Sequence, residues 1–245
     1  MQSPEELARS TARQGYLHST DPAADRGSLV FFGGNADVAT AFGDLSQRSQ
    51  LFLLHGNRTR WRLHNTFNRD IEAQRARRIN MADAFSDAVF CYVPMGQSLG
   101  QQDRYVAAAL FGCIPIMLQS IQNNALYETN MSVVLPFERH PAVRWEAFAV
   151  LVHSWELPRL HEALEALSPR ELRHMRSELA RVWPRLLWSR FVHPSAGGGY
   201  LGEHGDGDAF ETLMSVLRYR LADLDGVPLA LLEPPRRRDE RDHVR

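Results

Sequence analysis

Lysine is missing from this 245-residue chain: all 28 basic side chains are arginine. That absence excludes lysine Schiff-base chemistry and the lysine of a Walker-type phosphate loop. It leaves arginine as the cation for any phosphate ligand, which favours bidentate oxyanion contacts. Cysteine is scarce too. Cys91 and Cys113 are the whole complement, each inside an apolar run, too few for a zinc site or a disulfide framework. They are expected to be buried thiols, and their number leaves the redox compartment open. No stretch approaches about 18 consecutive apolar residues, so no transmembrane helix is expected. The opening MQSPEELARSTARQG is too polar for a signal peptide, and a soluble chain is expected. A net charge of −1 gives no reason to expect nucleic acid or a membrane surface as partner. Neither HExxH nor G-x-S-x-G occurs and no paired-carboxylate site stands out, so hydrolase chemistry is poorly supported.

What is present is an ordinary globular composition, 44% apolar and 23% charged, long enough to bury a substantial core. Short apolar runs alternate with helical patterns, which predicts an α/β fold with a Rossmann-like, mostly parallel sheet and helices on both faces. Strands are predicted at 28–32, 51–55, 88–93, 114–118, 132–135 and 147–152. They are apolar on both sides, as strands covered by helices tend to be. Helices are predicted at 38–48, 79–86 and 101–111. Leu157, Leu160, Leu164 and Leu167 then keep helical spacing. Ser168-Pro169-Arg170-Glu171 offers a capping box for a further helix, striped by Leu172, Met175, Leu179, Val182 and Leu186 and kinked at Pro184. A last helix at 208–221 is expected to turn Phe210, Leu213 and Leu217 inward, after a flexible loop at 195–208. The domain is placed at 28–222, between a poorly structured segment, 1–27, and a disordered charged tail, 223–245.

The most informative stretch runs from Phe85 to Pro115, FSDAVFCYVPMGQSLGQQDRYVAAALFGCIP. It reads as strand, glycine-containing turn, helix, glycine stop and second strand. A strand delivers the chain to the carboxyl edge of the sheet, where open α/β sheets bind ligands. Pro94 stops the pairing there, and Gly96 and Gly100 allow a tight turn or a close approach. The helix that follows offers backbone amides, and Arg104 in its first turns is placed to reach a phosphate oxygen. A second glycine turn, Gly33-Gly34, follows the first strand. Gly56-Asn57-Arg58 opens an arginine run through Arg60, Arg62, Arg69, Arg75, Arg77 and Arg78. Aromatic interleaving in that run is thin, so a solvated loop with one or two functional arginines is preferred to a nucleic-acid surface.

These residues resemble the catalytic region of the exostosin family, glycosyltransferase family 47. Ser86 through Gly96 is similar to the family's S-x-F-C-L-x-P-x-G. Arg104 followed by Gly112-Cys113-Ile114-Pro115-Ile116 is similar to its R…GC[IV]PV. Leu135-Pro136-Phe137-Glu138, then Trp145 through Val150, resembles its PFE…W..F+V, and Glu156-Leu157-Pro158-Arg159-Leu160 with the helices through Trp188 follows in order. Upstream, Val30 through Gly34 and Gly56-x-Arg58 look like its opening strand and G-x-R.

The resemblance implies the C-terminal, donor-binding half of a GT-B enzyme. It implies an inverting transferase that moves a sugar from a nucleotide-diphosphate donor, usually UDP-linked, to a glycan or glycoprotein acceptor. It implies no bound metal and no cofactor, since arginine and helix dipole neutralise the leaving diphosphate, and it implies the Golgi as location. The nucleotide-sugar site is expected at Gly96, Gln97, Ser98 and Arg104, with Gly33, Gly34 and Arg58 as secondary contacts; no catalytic base is assigned. The family often carries a carboxylate three residues after the helix arginine, where this chain has Ala107. A non-catalytic nucleotide-sugar or glycan-binding relative, or a fragment lacking the acceptor half, is therefore the alternative. A nucleic-acid-binding protein using Arg58 to Arg78 is a third.

Overall fold

The computed structural model describes residues 26–36, 47–66, 79–94, 104–121, 131–132, 135–138, 140–188 and 208–225. Its centre is a pair of parallel strands, β1 (Ser28–Gly34) and β3 (Ala88–Val93), in register Ser28↔Ala88 to Phe31↔Cys91. Every residue of β3 is buried, as a strand covered on both faces requires. β2 (Trp61–Asn65) flanks β1, while β4 (Ile114–Ile121) flanks β3 and β6 (Val150–His153) flanks β4, all parallel. The parallel order is thus β2-β1-β3-β4-β6, and the two-residue β5 (Met131–Ser132) pairs antiparallel with the end of β4. The α/β, Rossmann-like expectation holds.

Side chains alternate across the strands and sort the helices into two layers. Phe31 and Cys91 pack with α2 (Met81–Asp87) and α3 (Arg104–Leu110) on one face. Val30, Phe32, Phe90, Tyr92 and Ile116 pack on the other, against α1 (Gln47–His55) and α5 (Leu160–Glu165). The short α4 (Trp145–Phe148) and long α6 (Pro169–Val182) share a cluster with Val93, Tyr105 and Met117.

Several expectations are corrected. The apolar run 51–55 is helical: Leu51 and His55, one turn apart, are buried, whereas Leu53 is 70% exposed. Leucine and phenylalanine carry no β-branch, and a short apolar run has no period to separate strand from helix. β2 was hidden in the arginine run; it is an edge strand whose Trp61 is buried and Arg62 exposed. The strand expected at 147–152 begins only at Val150, after α4; of the strand expected at 132–135, Ser132 falls in β5 and 133–134 lie outside the described residues.

Toward the C-terminus, the capping box forms as expected: Ser168 Oγ accepts from the Glu171 N–H, and the Glu171 carboxylate accepts from the Ser168 N–H at 2.7 Å. At Pro184 the α-helix does not kink but gives way to a 3₁₀ turn, Trp183–Leu186. In α7 (Ala209–Asp225) the buried face is Ala209, Thr212 and Val216, one residue out of phase with expectation, and Phe210 is 48% exposed. The Asp208 carboxylate caps the Phe210 and Glu211 amides, and the Ala209 N–H donates to the Leu187 carbonyl, which together set that phase. Expectations for nearly all of the terminal segments and of the 195–208 loop lie outside the described residues, although α7 runs on to Asp225.

The cysteines are not thiols. Cys91 and Cys113 form a disulfide with Cα atoms 5.8 Å apart. Gly112, at φ 65°, ends α3 with a left-handed turn that only glycine adopts freely, and the chain re-enters β4 beside β3. The bridge therefore ties the two ends of the β3–α3–β4 unit, which two cysteines 22 residues apart could not reveal by number alone.

At the amino edge of the sheet, buried Arg26 donates to the carbonyls of Phe85, Ala88 and Phe111, where α2 and α3 end. On the opposite face, His55 Nε2 donates to the Leu157 carbonyl (2.7 Å), its Nδ1 accepts from Arg58 Nε (3.1 Å), and its ring stacks on Trp61. Burial holds His55 below its ordinary pKa; the Leu157 bond opposes this, while Arg58 and His161 add to it.

Two outcomes follow from these contacts. Replacing both cysteines by alanine lowers the unfolding free energy by about 3 kcal/mol in chemical denaturation; an unchanged midpoint refutes that role. The folded pKa of His55 lies below its unfolded value of 6.5, so its contribution is complete above pH 6.5 and drains away as pH falls toward the folded value. Stability measured below pH 6.5 therefore rises with pH, and the slope is shallower in His55→Gln.

Candidate functional site

The sheet order reverses between β1 and β3: the chain leaves β1 for β2 on one side and later builds β4 and β6 on the other. The connecting helices leave on opposite faces, which opens the sheet at the carboxyl ends of these two strands. β1 reaches that edge at Gly33-Gly34 and β3 at Val93-Pro94.

Arg104, the first residue of α3, reaches across the opening. Its Nη1 donates to the Gly33 carbonyl, and its guanidinium carbon lies 5.3 Å from the centre of the Phe32 ring. Gly34 leaves room for a side chain only if its neighbours move: a Cβ there would stand 2.7 Å from Arg104 Nη1 and 2.8 Å from Nη2. The end of β1 is held by the Thr66 N–H, which donates to the Gly34 carbonyl (3.0 Å), and by Asn65 Oδ1, which accepts from the Ala36 N–H (3.1 Å).

A second guanidinium shares this corner. Arg48, in the first turn of α1, is buried and donates through Nη1 to the Asn35 carbonyl (3.2 Å). Burial pulls Arg104 down to about 10, and the Arg48 charge pulls the same way. Arg48 is lowered by burial, with Tyr92 opposing. Both remain cations at neutral pH. Among the described residues no carboxylate acts on Arg104, so two like charges sit together in a poorly solvated corner. Such an arrangement is costly alone and is relieved by an anion.

Of the expected site residues, Gly33, Gly34 and Arg104 are brought together. Gly96, Gln97 and Ser98 lie outside the described residues. Arg58 is not brought to this corner: it precedes β2 at the amino edge, about 13 Å away along the five-residue strand, and is engaged with His55. Arg60 likewise serves the fold, donating to the Gly27 and Arg26 carbonyls. Arg48 was not among the expected site residues, and of the helix expected at 38–48 all but the last two residues lie outside the described residues. Arg48 lies in α1 (Gln47–His55), and its bond to the Asn35 carbonyl puts it at the carboxyl edge.

Gly34→Ala is expected to fold at a cost of about 1–3 kcal/mol, because the two nearest obstructing atoms end the flexible Arg104 side chain, although the buried Phe32 ring, at 2.9 Å, must also shift. A crystal structure of the variant should show the Arg104 guanidinium moved off the Gly33 carbonyl. An unmoved guanidinium refutes the close-approach argument.

Comparison with known proteins bears on this corner. The exostosin GT47 domain matches residues 4–167, a span that includes β1, α1, β3, α3 and β4 and so both arginines. A protein of Arabidopsis thaliana described as a probable glycosyltransferase is 32% identical over 104 residues, which is 42% of this chain and 19% of that protein. The matched stretch thus spans about a fifth of that relative. With two thirds of its length inside the match, this chain belongs to the exostosin GT47 domain family.

Proposed function

We propose that this chain is the donor-binding half of a GT-B glycosyltransferase, transferring a sugar from a nucleotide diphosphate to a glycan or glycoprotein acceptor. The observation that carries the reading is the pair of guanidiniums, buried Arg48 and half-buried Arg104, at the switch point of a parallel sheet. A diphosphate brings negative charge to that corner, and guanidinium matches its oxygens in shape as well as charge.

The chemistry is an in-line displacement with inversion. An acceptor hydroxyl attacks the anomeric carbon as its proton passes to a carboxylate base, and the bond to the diphosphate oxygen breaks. Negative charge grows on the departing diphosphate, and there two preorganised cations stabilise the transition state more than the ground state. Arg48 and Arg104 fill the neutralising role without a metal, and UDP is the favoured nucleotide.

The Cys91–Cys113 bridge supports a chain folded in an oxidising compartment, in keeping with the Golgi. Among the described residues no helix is long and apolar enough to cross a membrane. A second reading, a module that binds the nucleotide sugar without transferring it, is favoured by Ala107 and by the lack of any carboxylate along α3.

Thermal unfolding with UDP, GDP and UDP-sugars tests the reading. A ligand at 100 times its dissociation constant adds about 2.7 kcal/mol, several degrees of melting temperature. The shift is expected with UDP and absent in Arg104→Ala. No shift with any nucleotide refutes the donor site, and binding without sugar release or transfer selects the binding module.

A further inference from the structure

The carboxyl edge extends beyond the Gly33–Arg104 corner. β6 is parallel to β4 and runs out at His153, opposite Ser120, so His153 stands on the same edge. The order β1-β3-β4-β6 puts three strand spacings between them, about 14 Å. At that far end Trp155 is 47% exposed, although tryptophan is ordinarily among the more buried side chains.

The indole is held in place. It stacks on the His153 ring with centroids 4.3 Å apart and planes 3° from parallel. One face is thereby covered, and the exposure falls on the opposite face and the ring edge. Glu156 follows, exposed, with Oε2 accepting from the His153 backbone N–H at 2.7 Å. That bond orients the carboxylate and leaves Oε1 without a partner among the described residues.

We propose that Trp155 and Glu156, supported by His153, form the nucleoside subsite of the donor. Trp155 offers a flat platform to the base, Glu156 accepts from the ribose hydroxyls, and Arg48 and Arg104 hold the diphosphate. This assignment rests on the donor-site reading and extends it from the phosphates to the nucleoside.

Three observations select the base over the transferred sugar as the occupant. The sugar is bonded directly to the terminal phosphate and stays beside the guanidiniums, whereas ribose separates the base from the diphosphate and lets it reach along the edge. The parallel imidazole–indole pair is a stack that one more flat ring continues, and every base has such a face. The neighbouring carboxylate is an acceptor-only group, suited to a diol that donates two hydrogen bonds.

Isothermal titration of the full chain with UDP, GDP and inorganic pyrophosphate tests the assignment. Trp155→Ala is expected to weaken the bound nucleotide at least about fivefold, with most of the affinity kept in Trp155→Phe and pyrophosphate binding unchanged in both. Glu156→Gln is expected to weaken nucleotide and not pyrophosphate, and Arg104→Ala to weaken both. If Arg104→Ala abolishes nucleotide binding while Trp155→Ala and Glu156→Gln leave it intact, the donor site stands and the nucleoside subsite falls. If Trp155→Ala weakens nucleotide and pyrophosphate equally, or if Trp155→Phe fails as badly as alanine with its melting temperature unchanged, the platform is refuted. If the unaltered chain binds none of the three probes, both readings fall together.

Discussion

A single side chain bridges the place where the sheet changes direction. Arg104 starts on the helix that follows β3 and ends on the Gly33 carbonyl at the tip of β1, so one guanidinium spans the two strands whose divergence opens the edge. Everything nearby serves that reach. Gly34 keeps its side of the strand bare, the Phe32 ring lies beneath the cation, and the backbone beyond β1 is pinned by Asn65 and Thr66. Behind it, the Cys91–Cys113 bridge and the left-handed Gly112 turn hold the helix in register with its strands. Taking a guanidinium out of water beside a second one is unfavourable by itself, and that cost is what an anionic ligand removes.

The two edges of the sheet use arginine in opposite ways. At the amino edge Arg26 meets three carbonyls where helices end; burial and then Arg176 pull its pKa down to about 10, with Asp87 opposing. Arg58 and Arg60 are engaged by His55 and by strand-entry carbonyls. These arginines complete the fold. At the carboxyl edge Arg104 has, among the described residues, one carbonyl acceptor, an aromatic face and a like-charged neighbour. Chemical identity is the same at both edges; the supply of acceptors separates a fold-completing cation from one suited to a ligand.

Some elements were plain in the residues. β3 and β4 announce themselves because buried parallel strands are apolar on both faces, and their glycine and proline punctuation is local. The Ser168–Glu171 box is also local, two bonds between residues three apart. Residues 51–55 misled because Leu-Phe-Leu-Leu has no period to read, and β2 was obscured because an edge strand needs only one buried side chain in view. At the site, Gly33, Gly34 and Arg104 were visible as turn and helix signals. Arg48 became visible only through its contact with the Asn35 carbonyl just past β1, a pairing of residues 13 apart.

The amino-acid order by itself determined the layered α/β architecture, the caps and turns, and the arginine-only chemistry, because each depends on nearest neighbours, periodicity or composition. The tertiary structure alone decided which arginine faces the open edge, which face α7 buries, and that Cys91 meets Cys113. Those outcomes depend on strand order and helix phase, which bring together residues tens of positions apart, and no local pattern encodes such a distance.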